Sequence, residues 1–97
     1  MSASSAAAPA CTAPTTRFCK WSGANFTGVK RNMPVLANGT CYQFYDAARS
    51  FVNNGGYEGY FYATSGCTGQ ARAVTHNTQS TDIGFTAWSF RYDCISC

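Results

Sequence analysis

The sequence predicts an all-β fold, a disulfide-stapled sandwich of two Greek-key halves, and three observations carry that expectation. From Arg17 onward, short runs rich in Phe, Tyr, Val and Thr alternate with Gly and Asn breaks, and no window holds a capped helical stripe. An aromatic-glycine pattern occurs twice: Trp21, Phe26 and Gly28 in "FCKWSGANFTG" are followed by Tyr62, Cys67 and Gly69 in "YFYATSGCTG". The chain of 97 residues also carries six cysteines. So short a chain buries only about two-thirds of its unfolded surface, so bridges of roughly 2–4 kcal/mol each matter against a total of about 5–15.

Residues 1–16 are small or polar, with two prolines and no apolar period, and read as a flexible lead tethered through Cys11. The lead has no basic start or long apolar run, as expected of an exported chain from which a signal peptide has been removed. Candidate strands follow at 17–22, 28–33, 41–44, 49–53, 58–63, 70–75 and 87–93. Their breaks fall at "SGAN", "LANG", "NNGG", "TSG" and "HNTQSTDIG". The stretch "YQFYDAARS" (42–50) suits one helical turn. Laying 17–54 on 58–92 sets Ser50 on Ser89 and Phe51 on Phe90, after a gap of two residues. Each half exposes one apolar sheet face and cannot stand alone; two related halves close face to face. Glycine after the second aromatic supplies the positive φ of a hairpin folded over its own sheet. Residues 93–97 form a cysteine-containing tail.

Aromatic, four residues, aromatic, one residue, glycine, with a serine some twenty residues later, resembles the Greek-key signature of the βγ-crystallin superfamily. Here it reads "WSGANFTG" with Ser50, then "YATSGCTG" with Ser89. "FCKWSGANFTG" and "YDAARSFVNN" are most similar to small secreted bacterial metalloproteinase-inhibitor-type domains, which would make residues 17–97 a single domain of that kind. The resemblance implies a Cys19–Cys41 bridge within the first half, leaving Cys94 and Cys97 to take Cys11 and Cys67 in some order. Many domains of the superfamily bind calcium through a loop matched here by "YDAARS" and "GFTAWS". Calcium wants hard oxygen ligands. Tyr45 and Arg49 stand where such ligands belong, so no calcium is expected, and Asp46 reads as Arg49's neighbour in a turn.

The composition excludes other chemistries. Net charge is +3, with Lys30-Arg31 the only adjacent basic pair, so nothing resembles a nucleic-acid stripe. No run approaches the roughly 18 apolar residues of a membrane span. The lone His76 lies in a polar loop and reads as a surface residue rather than a catalytic base. "CISC" (94–97) lacks the second close pair that structural zinc takes and the helix start that redox thiols use. No metal, cofactor or enzymatic activity is expected. Tyr57, Tyr60 and Tyr62 make one sheet face tyrosine-rich, either as the aromatic side of the second hairpin or as a surface for carbohydrate or protein. "NFT" (25–27) and "NGT" (38–40) are glycosylation sequons in a eukaryotic source and ordinary turns otherwise.

The resemblance therefore implies a secreted, monomeric peptidase inhibitor whose rigid loop enters an extracellular peptidase. The first candidate loop is Thr64, Ser65, Gly66, Cys67, Thr68 and Gly69, which a bridge at Cys67 would clamp. The alternative is Met33, Pro34, Val35 and Leu36, whose competing reading is a strand end packed inward. A secreted antimicrobial or killer-toxin-like protein acting on microbial surfaces, or an extracellular structural module, are the other functions this scaffold accommodates.

Overall fold

Two hairpins of the same design start the two halves. The structure, a computed structural model, describes residues 9–11 and 16–96. Its strands are β1 (Phe18–Gly23), β2 (Thr27–Asn32), β3 (Cys41–Ala48), β4 (Ser50–Asn53), β5 (Gly59–Tyr62), β6 (Ala71–Val74), β7 (Thr78–Ser80) and β8 (Ala87–Tyr92). They form two four-stranded antiparallel sheets, ordered β2-β1-β4-β7 and β3-β8-β5-β6. Each half thus lends its third strand to the other half's sheet, so neither sheet is complete without both halves.

Side-chain alternation builds the core between them. Phe18 and Phe51 come from the first sheet, Phe44, Phe61, Phe90 and Tyr92 from the second, and all are buried. Phe18 sits edge-on to Phe90 at 5.3 Å and to Phe61 at 6.1 Å. Removing one such ring costs about 3–5 kcal/mol. Lys20 points into the same interior, where burial pulls its amine down to about 8, against the opposing pull of Asp46. Its ammonium donates to the Asp46 carbonyl at 2.6 Å and lies 4.4 Å from the Phe44 ring. A second, smaller cluster of Cys11, Cys19, Trp21, Val52 and Phe26 covers the outer face of the first sheet.

Several expectations need correction. The segment 42–50 makes no helical turn: β3 runs on to Ala48, because Tyr42 and Phe44 alternate inward and Tyr42 pairs with Phe90 of β8. β7 lies within what read as one long break; its three polar residues add to the edge of β4 through backbone pairing, a signal without apolar alternation. Asp46 pairs with Arg31, while Arg49 pairs with Asp82 at 2.9 Å. The described part of the lead is docked rather than hanging. Cys11 is buried, its carbonyl accepts from Asn54 Nδ2, and the buried Thr16 hydroxyl donates to the Met33 carbonyl; residues 1–8 and 12–15 lie outside the described residues.

The bridges also differ. Cys19 pairs with Cys11 and Cys41 with Cys67, with Cα separations of 5.9 and 6.0 Å. A Cys19–Cys41 bridge is sterically foreclosed, since β1 and β3 belong to different sheets and these side chains project from opposite outer faces. With Cys11 and Cys67 engaged elsewhere, neither binds the tail. Cys94 is disulfide-bonded as well, and Cys97 lies outside the described residues.

Glu58 holds the tail to the body. The buried carboxylate accepts from the Ile95 and Ser96 amides at 3.0 and 2.9 Å and from the Ser96 hydroxyl, and meets His76 Nδ1 at 2.8 Å. The Ser96 amide, then the His76 ring, hold its carboxyl down from the ordinary 4.5 to about 2, against opposition from burial. Because the folded chain keeps this group ionised where the unfolded chain takes up a proton, its stabilisation is complete above pH 4.5 and drains away as pH falls toward 2. Thermal midpoints measured from pH 7 to pH 2 are expected to drop more steeply for the wild type than for Glu58→Gln, with Glu58→Gln the less stable at neutral pH. Parallel profiles would contradict this role of Glu58.

Candidate functional site

Residues 64–69 join β5 to β6, and the loop folds back over the outer face of the second sheet. Ser89 on β8 sets that fold. Its hydroxyl donates to the Thr64 carbonyl and accepts from the Cys67 amide at 2.9 Å, so one side chain brackets the turn from 64 to 67. Cys67 adopts φ 57° and Gly69 φ 82°, left-handed conformations that glycine takes readily and that a non-glycine residue holds only when its surroundings enforce them. At Cys67 the enforcing partners are Ser89 and the bridge to Cys41. By loop-closure entropy that bridge stabilises the fold by about 3–4 kcal/mol.

Thr64 organises the interior of the loop. Its hydroxyl lies 2.8 Å from the Thr68 hydroxyl and accepts from the Thr68 and Gly66 amides at 3.3 and 3.4 Å. Thr64, Ser65, Gly66, Thr68 and Gly69 are exposed, and Cys67 is half-buried. Among the described residues, the carbonyls of Ser65, Gly66 and Cys67 accept no hydrogen bond. The loop is therefore braced from behind while its outward backbone acceptors stay free. That combination suits a rigid binder, because little ordering entropy is left to lose on binding.

The first half builds the same turn with a different stopper. Ser50 donates to the Gly23 carbonyl at 2.7 Å and accepts from the Phe26 amide at 3.0 Å, and Gly28 has φ 82°. Phe26, in the place of Cys67, folds its ring against Trp21 at 5.2 Å. The Asn25 amide bonds to the Thr81 carbonyl, pinning this loop to the chain between β7 and β8. A Cβ on Gly28 would fall 2.2 Å from Ser22 Oγ, so this glycine answers to both φ and space.

The other sequence candidate is anchored inward. Met33 is buried, the Pro34 carbonyl accepts from the Tyr92 hydroxyl, and Leu36 packs on the core. Val35, at 51 % exposure, is the one member that projects. Three of the four residues of this candidate are thus committed to the fold. Tyr57 leaves the tyrosine group proposed from sequence: it packs edge-on to Tyr92 at 6.1 Å, whereas Tyr60 and Tyr62 project from the outer face of the second sheet.

Other chemistry gathers little. His76, its side chain 53 % exposed, is engaged with Glu58. A pocket of about 220 Å³ beside Glu58 is lined by Asn38, Tyr57 and Asp93, but that carboxylate is satisfied by the tail and His76. Among the described residues no three His, Cys, Asp or Glu side chains converge as a metal site would require, and no helix is long and apolar enough to cross a membrane. The match of Ser89 to Ser50 marks Ser89 in the sequence as the residue that ties this hairpin down; what the sequence does not mark is the part Thr64 plays in bracing the loop's interior.

Among known proteins, the sequence model of one family, peptidase inhibitor family I36, matches residues 5–74. No curated protein and no solved structure matches the chain. The matched range takes in β1 to β6 and the 64–69 loop. Ser89→Ala is expected to leave the sheets intact but free the loop, seen as faster proteolytic nicking within 64–69 and a thermal midpoint lowered by the loss of about 1–3 kcal/mol. Nicking at the wild-type rate would show that Ser89 does not hold the loop.

Proposed function

The chain belongs to peptidase inhibitor family I36, and from that premise we propose that it is a secreted inhibitor of metallopeptidases acting through the 64–69 loop. The observation that carries the reading is the braced, outward-facing backbone at Gly66–Cys67–Thr68. Its amides and side chains are tied to Ser89, Thr64 and Cys41, the Thr68 carbonyl accepts from the Thr64 hydroxyl at 3.1 Å, and among the described residues the Gly66 and Cys67 carbonyls are free. A peptidase grips a bound chain by such acceptors, and a metal-dependent one polarises the carbonyl at the scissile bond. Presented at Cys67–Thr68, that bond is gripped on both sides: Cys67 by the bridge and Ser89, Thr68 by Thr64. Chain ends so held stay together after a cut, so the complex dissociates slowly.

Metallopeptidase preference rests on the resemblance of "FCKWSGANFTG" and "YDAARSFVNN" to secreted bacterial metalloproteinase inhibitors. Exchange of third strands between the sheets and the paired Ser50 and Ser89 tethers support reading the fold as two crystallin-type Greek keys in one domain over 17–97. Bridged cysteines, with no free thiol among the described residues, support an oxidising, extracellular setting. Inhibition rather than catalysis is the role its family supports.

The test is inhibition of a thermolysin-like metallopeptidase and a subtilisin-like serine peptidase at micromolar protein. The metallopeptidase is expected to be inhibited. Thr68→Leu, which adds apolar surface where such enzymes accept a bulky side chain, is expected to lower Ki by about 10-fold, while Thr68→Asp abolishes inhibition. Inhibition of neither enzyme, or Ki values indifferent to both substitutions, would overturn the reading.

A further inference from the structure

The two halves place equivalent side chains on their outer faces, and one half closes that face while the other leaves it open. In the first sheet Trp21 lies opposite Lys30 on β2 and Ser50 on β4, and Cys19 lies opposite Asn32 and Val52. In the second sheet Tyr62 lies opposite Ala71 on β6 and Ser89 on β8, and Tyr60 lies opposite Ala73 and Arg91. The registers coincide: Tyr62 stands for Trp21, Tyr60 for Cys19, Ala71 for Lys30 and Ala73 for Asn32.

Over Trp21 the face is sealed. Phe26 packs on the ring, the Lys30 ammonium lies 5.7 Å from it, and Cys11 is bolted to Cys19, so Trp21 is left 5 % exposed. Over Tyr60 and Tyr62 each covering part is missing. Cys67 points to Cys41 instead of folding a ring back, and alanine methyls at 71 and 73 replace longer side chains. Both tyrosines are half-exposed, Ala71 and Ala73 are exposed, and the two rings lie 6.3 Å apart. Neither tyrosine hydroxyl has a hydrogen-bond partner among the described residues.

We infer that this Tyr60–Tyr62 face is a second contact surface for the peptidase held at the 64–69 loop. The inference rests on the loop reading above and extends it. The face is continuous with that loop. Ser89, which the loop covers, is the neighbour of Tyr62 in the sheet, and the Cys41–Cys67 bridge lies on the same side. An enzyme gripping Thr68 therefore brings the rim of its cleft over these rings. The surface it meets is flat and aromatic, with two unused hydroxyl donors, and it fits an apolar rim carrying hydrogen-bond acceptors. Tyrosine suits this role, since it supplies large rigid area with a polar tip and is enriched at interface centres.

The experiment measures Ki and dissociation rate for the wild type, Tyr60→Ser/Tyr62→Ser and Ala73→Lys, against the metallopeptidase and the serine peptidase named above. Ala73→Lys leaves the rings in place and blocks approach to them, so it decides the matter where the tyrosine variant loses stability. The expected result is a Ki raised about 10-fold or more in both variants, through faster dissociation and with unchanged thermal midpoint for Ala73→Lys. Wild-type inhibition with unchanged Ki in Ala73→Lys would overturn the second surface and leave the loop reading standing. Failure of the wild type to inhibit either enzyme would overturn the loop reading, and this inference with it.

Discussion

A single hydroxyl, that of Ser89, sets the geometry on which the proposed contact face depends. It donates to the Thr64 carbonyl at the start of the 64–69 loop and accepts from the Cys67 amide within it, and so folds a hairpin tip back over its own sheet. A loop of this length closed only by its flanking strands would sample many shapes, at about 1–2 kcal/mol of backbone entropy per residue to be lost on binding. The tether removes much of that cost before a partner arrives. Cys67 then takes a left-handed φ that it would avoid elsewhere, and Gly69 turns the chain into β6.

The first half obeys the same constraint through Ser50 and reaches a different end. There the residue at the turn is Phe26, and its ring serves as a lid on Trp21. Exchange of that phenylalanine for a cysteine swaps a side chain that covers the sheet for a bridge that anchors to β3. One closed face and one open face follow from that exchange together with alanines at the lysine and asparagine positions. Stability comes from the shared interior, where Phe18, Phe61 and Phe90 lock the sheets together. The second half leaves its own outer face, with Tyr60 and Tyr62, uncovered.

Much of this was legible in the chain. The Ser50–Ser89 and Gly28–Gly69 correspondences named both tethers and both positive-φ turns, because such turns demand particular residue types. All-β character followed from the runs of Phe, Tyr and Val. What was hidden depends on contacts between distant segments. Cystine partners are fixed by which sheet each strand joins, and Cys41 joins the far one. β7 carries no apolar alternation, so its pairing with β4 left no mark in sequence. No local pattern marks Glu58 in the sequence; only the folded chain brings Ile95, Ser96 and His76 to it. For Met33 and Leu36 the sequence held open an exposed loop against an inward-packed strand end; in the fold Met33 is buried and the Pro34 carbonyl accepts from the Tyr92 hydroxyl.

The account stands on the loop being rigid before any peptidase meets it. Amide hydrogen exchange, resolved residue by residue in the free protein, tests this most directly at Cys67, with Phe26 as its counterpart in the first half. Protection of the Cys67 amide comparable to that of Phe26 and of neighbouring strand amides is the expected result, despite the exposure of Ser65, Gly66 and Thr68 around it. Exchange of Cys67 at the rate of an unstructured peptide, with Phe26 still protected, would contradict it.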